Sequence, residues 1–528
     1  MGHEEIARLL VEHGADSATR VNEGSTTIHP TSHKEVARAR LERGADSAAQ
    51  ANNGSTATHP SSQKEVSRVL HEHGVDTTSK SKDGWTQLHS VAHWGHAEIA
   101  SLLLEHDADL EAQANDGSTA LHLASNKEIA CVLLENGAST KAKTNNGWTP
   151  LHVASSSGQA EIIRLILEHG ADSEAQANDG TTALHLASNN EAACVLLEHG
   201  ASTKAQTKNG WTPLHSVSSW GHAEIVLLLL EHGVDSAARA NDGSTALHVA
   251  SNTEVARVLL EYRASTTAKN NEGWAPLHFV SSSGHAEIVH LLLEHGVDSA
   301  AQANNGSTAL HFASNKEVAR VLLEHGANTI AKNKDGWTPL HSVSSWGHAE
   351  IVRLLLEHGV DSAARTNNGS TALHVASNRE VARALLEYGA STTAKNNEGW
   401  APLHSISSSG HAEIVRLLLE HGVDSEAQAN NGSTALHFVS NKEAARALLE
   451  HGANTTAKTK DGWTPLHSVS HWGHAEIVRL LLEHGADSTA QANDGSTPLH
   501  FATNKDVARV FLEHGAGMTA KSKEGPNQ

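Results

Sequence analysis

Internal repetition dominates this sequence. Two adjacent segments, residues 335–367 and residues 368–397, recur as a pair along most of the 528-residue chain. The first segment is 33 residues long and the second is 30, so the pair repeats every 63 residues. The pairs begin at Asp83, Asn146, Asn209, Glu272, Asp335, Glu398 and Asp461. A period in this range indicates a stacked array, in which each unit buries its apolar face against its neighbours.

The 33-residue long unit predicts two helices that follow a tight turn. Gly336 belongs to the turn, Thr338 can cap the first helix, and Pro339 takes the first helical position, where its missing N–H costs nothing. Gly347 then ends the first helix. A second apolar pattern of helical period follows, and Gly359 supplies the left-handed residue that ends it.

The 30-residue short unit has the same plan with three residues fewer between its helices. Ser377 and Glu380 have the spacing of a capping box, which predicts that the second helix begins there with almost no connecting turn. We therefore expect the first helix of each short unit to be nearly one turn shorter than in the long units.

These motifs resemble the ankyrin repeat. The resemblance rests on the turn glycine, Thr-Pro-Leu-His at 338–341, Gly-His-x-Glu-Ile-Val at 347–352, and the Leu-Leu…Gly-Ala/Val-Asp ending, each of which recurs many times. It implies an all-α solenoid of stacked helix-turn-helix units joined by β-turn hairpin loops. It also implies a non-catalytic scaffold or recognition arm that binds partner proteins through hairpin tips and the concave face.

The chain departs from the ankyrin pattern at several apolar positions. Serine often stands where the family has alanine or an aliphatic residue, as at Ser342, Ser344 and Ser362. Because less apolar area is then buried per unit, we expect modest local stability.

The array predicts four regions. These are residues 1–22, a partial repeat; 23–82, two degenerate short repeats; 83–523, fourteen repeats in seven long/short pairs; and 524–528, a tail. Pro30 and Pro60 fall inside expected first helices, so we expect fraying there. Because the sequence begins with half a unit, we expect the natural array to begin earlier.

Composition excludes several classes of protein. No apolar run is long enough to span a membrane, and the formal net charge of −21 disfavours a general nucleic-acid binder. Cys131 and Cys194 lie 63 residues apart at equivalent places, which predicts two small core thiols and no disulfide. We expect a monomer in the cytoplasm or the nucleus.

Tryptophan and lysine form the candidate partner-binding strip. All eleven tryptophans lie in long units, at only two offsets, and a lysine recurs at one offset shortly before the first. The first offset, after the turn glycine, holds Trp85, Trp148, Trp211, Trp274, Trp337, Trp400 and Trp463. The second, at the end of the first helix, holds Trp94, Trp220, Trp346 and Trp472. The lysines are Lys80, Lys143, Lys269, Lys332, Lys395, Lys458 and Lys521, with Gln206 as the gap. Tryptophan is enriched at binding hot spots, which favours recognition.

Other interpretations of the strip stay open. The tryptophan rings could pack between neighbouring units and fill the space beside the shortened helices, as periodic aromatic residues commonly do. The chain would then be an architectural spacer. Lysine interleaved with tryptophan is also typical of single-stranded nucleic-acid binding by stacking, which the acidic total disfavours.

Histidine, with 41 copies, does not predict a metal centre or an active site. One histidine per unit belongs to the Thr-Pro-Leu-His segment, where the resemblance implies a hydrogen-bonded strut. His89, His93 and His96 have partial metal-ligand spacing without a nearby cysteine, as have His467, His471 and His474. No nucleophile, base and orienting acid stand apart from the repeat pattern, so we expect no enzyme and no cofactor.

Overall fold

The chain is an all-α repeat solenoid, as the sequence predicts. The computed structural model describes residues 78–515, and within that range it contains no β-strand. The array divides into two compact units, Met1–Ser265 and Thr266–Gln528, each of which is a stack of helical pairs over its described residues. The predictions for residues 1–77, including Pro30 and Pro60, and for the tail lie outside the described residues.

Each long unit contributes two helices. The first helices have seven or eight residues and the second helices have nine. The first helices are Gln87–Trp94, Pro150–Ser156, Pro213–Trp220, Pro276–Ser283, Pro339–Trp346, Pro402–Ser408 and Pro465–His471. The second helices are Ala97–Glu105, Ala160–Glu168, Ala223–Glu231, Ala286–Glu294, Ala349–Glu357, Ala412–Glu420 and Ala475–Glu483.

The boundaries of the long-unit helices follow the predicted signals. Thr338 is the N-cap of the first helix and Pro339 is its first residue. Gly347 ends that helix in the left-handed conformation, with φ of +86°, and Gly359 ends the second with φ of +76°. Local sequence chemistry alone therefore determines where these helices begin and end.

The short units replace the first helix by a single four-residue turn. These turns are Ala120–Leu123, Ala183–Leu186, Ala309–Phe312, Ala372–Val375, Ala435–Phe438 and Pro498–Phe501. The second helices keep nine residues and are Lys127–Glu135, Asn190–Glu198, Thr253–Glu261, Lys316–Glu324, Arg379–Glu387, Lys442–Glu450 and Lys505–Glu513. The expected shortening is confirmed.

The cap of the short-unit second helix differs from the prediction. Asn378, and not Ser377, is the N-cap, and its Oδ1 accepts from the N–H of Val381 at 2.9 Å. The Ser377 hydroxyl instead donates to the carbonyl oxygen of Ser344, 33 residues earlier in the long unit. The capping-box assignment was therefore wrong, because a buried carbonyl of the neighbouring unit competes for the serine.

Leucine, isoleucine, valine and alanine fill the interior between helical pairs. In one long unit Ile351, Val352 and Leu355 are at most 1% exposed. The serines that depart from the family pattern are partly interior: Ser344 is fully buried, Ser342 is buried, and Ser362 is half-buried. Less apolar area is thus available for burial at these positions.

A histidine strut connects each unit to the next. His341 Nε2 donates to the carbonyl oxygen of Ser370 at 3.2 Å, and its Nδ1 accepts from the Thr338 hydroxyl at 2.8 Å. In the short units the same histidine reaches the carbonyl of a tryptophan, as His374 does with Trp400 at 3.0 Å. Each ring must therefore be neutral, with its proton on Nε2.

Candidate partner-binding surface

We name two parts of each long unit by their position. The hairpin edge is the loop around the turn glycine, residues 331–338 and their equivalents. The helix-end edge is the end of the first helix and the residues that follow it, residues 345–348 and their equivalents. The eleven predicted tryptophans divide between these two edges, and the lysines lie only on the first.

Asparagine side chains connect successive hairpins. Asn367 donates from its backbone N–H to the Asp335 carbonyl and from its Nδ2 to the Lys334 carbonyl, at 3.0 and 2.8 Å. Asn397 continues the series by donating to the Asn367 carbonyl at 3.1 Å. A Cβ on Gly336 would lie 2.6 Å from the Asn367 backbone nitrogen, so glycine is required there. The hairpin edge is thus a continuous hydrogen-bonded ladder.

The seven hairpin tryptophans are half-buried and pack on their own array. The Trp337 backbone is held in the turn, because its N–H donates to Asn333 Oδ1 at 2.9 Å. Its ring lies over the strut histidine His341, with centroids 6.2 Å apart. The rings of Trp85, Trp148, Trp211 and Trp463 lie over their strut histidines in the same way. The packing interpretation accounts for much of this set.

The recurring lysines clamp neighbouring hairpins. Lys332 Nζ donates to the carbonyl oxygen of Arg365 at 2.8 Å, 33 residues further along. The same bond, between 2.7 and 3.0 Å, is made by Lys80, Lys143, Lys269, Lys395 and Lys458. Lys521 lies outside the described residues. Each ammonium group keeps further donors for solvent or a partner, but one donor is committed to the fold.

The four helix-end tryptophans are exposed. The exposed fraction is 66% for Trp94, 49% for Trp220, 49% for Trp346 and 43% for Trp472. A glycine in the left-handed conformation follows Trp220 and Trp346, and a histidine ring stands edge-on to each indole, for example His348 with centroids 6.3 Å apart. Large apolar rings left this open, at equivalent places, are what binding hot spots require.

Phenylalanines connect the two edges, which sequence reasoning missed. Phe312, in a short unit, contacts the hairpin Trp274 of the preceding long unit at 4.3 Å and stacks on the helix-end Trp346 of the following one at 6.1 Å. Phe438 does the same with Trp400 and Trp472, at 4.3 and 6.2 Å. Their signal was available: each stands three residues after a Thr-Ala-Leu segment, in a short unit that precedes a helix-end tryptophan.

The struts are held neutral by burial. Desolvation lowers the pKa of His341 and of His437 to about 4, although hydrogen bonds to the carbonyls of Ser370 and Trp463 act in the opposite direction. Desolvation lowers the pKa of His122, His152, His185, His215, His278, His311, His374, His404 and His467 as well. These groups serve the fold and not acid-base chemistry.

The histidine triplets do not converge on a metal site. His89 is a strut whose Nε2 donates to the Ser118 carbonyl at 2.9 Å, while His93 stands edge-on to Trp85. Within residues 78–515, no group of three or more histidine, cysteine or acidic side chains could hold a metal ion. Cys131 and Cys194 are free and half-buried, so they are less enclosed than their pattern predicts.

Comparison with known proteins identifies the family. A family model described as ankyrin repeats (3 copies) matches overlapping segments along most of the chain. The segments are residues 56–144, 126–207, 189–270, 262–333, 328–396, 389–459 and 439–522. The chain belongs to the ankyrin repeat family. Ankyrin repeats are generally protein–protein interaction modules.

Solved ankyrin structures also match. The ankyrin repeat domain of Bcl-3, a member of the IkappaB protein family, is 28% identical, and the match covers 46% of this chain and 100% of that chain with a TM-score of 0.33. A comparison with functionally characterised proteins gave no match. Among the ankyrin helices in residues 78–515, none has the length and apolar character needed to cross a bilayer.

Proposed function

We propose that this ankyrin array is a non-catalytic scaffold that binds partner proteins through the helix-end tryptophans. The observation that carries the proposal is the repeated exposure of Trp94, Trp220, Trp346 and Trp472, between 43% and 66%. Burying a tryptophan ring at an interface supplies much of the binding energy of typical hot spots.

The hairpin edge contributes less to this surface. Its tryptophans have half of their surface left for contact, and its lysines have spare N–H donors, so both sets can frame a bound partner. Their main partners are within the array. For the same reason a nucleic-acid strip is disfavoured, because lysines that donate to carbonyls are poorly placed to follow a phosphate backbone.

We infer a monomeric protein that acts in the cytoplasm or the nucleus. Free cysteines and the absence of a spanning helix among the described residues support this placement.

Two four- and three-residue variants test the surface. In the first, Trp94, Trp220, Trp346 and Trp472 are changed to alanine. In the matched control, three exposed apolar residues away from the helix-end edge, Tyr262, Ile330 and Tyr388, are changed to alanine. Helicity and melting of both are compared with the unchanged chain before proteins are captured from lysate of the source cells.

We expect the tryptophan variant to stay folded and to lose specific captured proteins that the control retains. Photo-crosslinking sharpens the result: p-benzoylphenylalanine in place of Trp346 should crosslink the same proteins, and in place of Tyr388 it should not. If both variants capture the same set as the unchanged chain, the proposal fails, and a spacer role is favoured instead.

A further inference from the structure

One groove beside a helix-end tryptophan differs in charge from its equivalents. It has a volume of 350 Å³ and lies where the second helices Asn190–Glu198, Ala223–Glu231 and Thr253–Glu261 begin. Its lining includes His222, whose ring stands edge-on to Trp220 with centroids 6.2 Å apart. The exposed indole therefore borders the groove.

The charged groups that line this groove are all acidic. Glu224 and Glu254 are both exposed side chains of the lining, and the lining contains no lysine or arginine. Among the described residues, neither carboxylate has a lysine, arginine or histidine nitrogen within 4.0 Å. Asn190, also in the lining, has a buried Oδ1 that accepts no hydrogen bond.

The equivalent groove 63 residues earlier shows what is missing. It has a volume of 280 Å³, and Lys127 stands there at the position of Asn190. Lys127 Nζ lies 3.9 Å from Glu161, the counterpart of Glu224. The same pairing across 34 residues recurs between Arg379 and Glu413 and between Lys442 and Glu476. The array therefore normally supplies its own cation at this place, and at Asn190 it does not.

We propose that the groove beside Trp220 binds an arginine or lysine side chain from a basic segment of a partner protein. The incoming cation would take the place that Lys127 occupies in the earlier groove and pair with Glu224, and its face or stem would lie against the Trp220 indole. The overall charge of −21 favours the approach of a basic segment. This inference rests on the proposed protein-binding function and adds the chemistry of the partner at one site.

A labelled peptide pair tests the groove on the full chain. One fluorescent decapeptide carries arginines separated by glycine and the other carries citrulline, which has nearly the same shape without the charge. Fluorescence anisotropy gives the dissociation constants at low and high salt. We expect the arginine peptide to bind at least about fivefold more tightly, and salt to reduce the difference.

Substitutions then locate the binding. Asn190→Lys should restore the internal ion pair and weaken binding of the arginine peptide about fivefold or more, and Trp220→Ala should weaken it several-fold. Two matched controls should leave it unchanged: Asn190→Gln, which adds no charge, and Glu161→Gln, in the groove that is already paired. Unchanged affinity in both Asn190→Lys and Trp220→Ala overturns the inference.

Two further results separate the alternatives. If the chain sediments as an oligomer that Asn190→Lys dissociates, a second copy of this chain occupies the groove and the proposed partner is wrong. If capture by the helix-end tryptophans succeeds while the arginine peptide shows no preference over citrulline, this inference fails and the proposed function stands. If neither binds, both fail.

Discussion

The hairpin edge and the helix-end edge use the same residue in opposite ways. On the hairpin edge, tryptophan is half-buried over a strut histidine, beside asparagines and lysines that donate to neighbouring carbonyls. On the helix-end edge, tryptophan is exposed next to grooves at the helix starts. Residue type alone therefore does not separate packing from recognition. The hydrogen-bonding partners around the residue do.

The largest expected effect is on the struts that hold the hairpin edge together. The folded pKa of these histidines is below the usual value near 6.5, so between pH 6.5 and 4 the unfolded chain binds more protons than the folded one. The stabilisation is complete above pH 6.5 and is lost as the pH falls toward 4. For His341 alone the difference corresponds to about 3 kcal/mol.

Thermal melting between pH 7 and pH 4.5 measures this loss. We expect a steep fall in the melting temperature below pH 6.5, which persists in 0.5 M salt, where repulsion between surface charges is screened. A melting temperature that stays flat over this window would contradict the assignment of neutral struts. The buried struts also contribute less charge near pH 6 than 41 freely titrating histidines would.

Changing one tryptophan at a time breaks the comparison directly. Trp337 and Trp346 lie in the same long unit, one on each edge. Trp337→Ala should lower the free energy of unfolding by about 2 kcal/mol, because it removes a half-buried ring. Trp346→Ala should change it by less than about 0.5 kcal/mol, as expected of an exposed residue.

Native-state hydrogen exchange over residues 335–397 gives the local free energies. The two substitutions serve as controls for each other, since they share the unit and the residue type. Equal destabilisation by both would show that the two edges do not differ in the way their burial indicates.

The asparagine ladder sharpens the account of the hairpin edge. Asn367→Ala removes the bond to the Lys334 carbonyl and should cost about 1 kcal/mol. Lys334 itself stands where Asn397 stands one unit later, so Lys334→Asn should add a rung to the ladder and stabilise by about 0.5 kcal/mol. Chemical denaturation of the two variants tests this, and a ladder without energetic value would give no change in either.

The smallest effect is expected in the layer between the edges. Ser344 is fully buried, and its hydroxyl has no hydrogen-bond partner. Ser344→Ala should therefore stabilise by about 0.5 kcal/mol, because it removes an unpaired buried polar atom from a helix. At the equivalent position, Ser470 donates to the Leu466 carbonyl, so Ser470→Ala should gain less. Hydrogen exchange of the two helices compares them, and a larger gain at Ser470 would refute the explanation.

Sequence reasoning reached the helices because their signals are local. Thr338, Pro339 and Gly347 act within a few residues of themselves, so a single unit suffices to predict its own boundaries. Ser377 failed as a cap because its acceptor, the Ser344 carbonyl, lies 33 residues away. The lysine acceptors and the phenylalanines that cover hairpin tryptophans also belong to neighbouring units. What required the structure was therefore the contact between units.

The struts also constrain how such a gene can grow. A long-unit histidine reaches a carbonyl 29 residues ahead, whereas a short-unit histidine reaches one 26 residues ahead. Described units thus meet through two kinds of junction that alternate. Duplicating or deleting a 63-residue pair reproduces only those two junctions, while gaining or losing a single unit puts two like units side by side. Recombination in steps of a pair therefore leaves every remaining interface with a partner that it already fits.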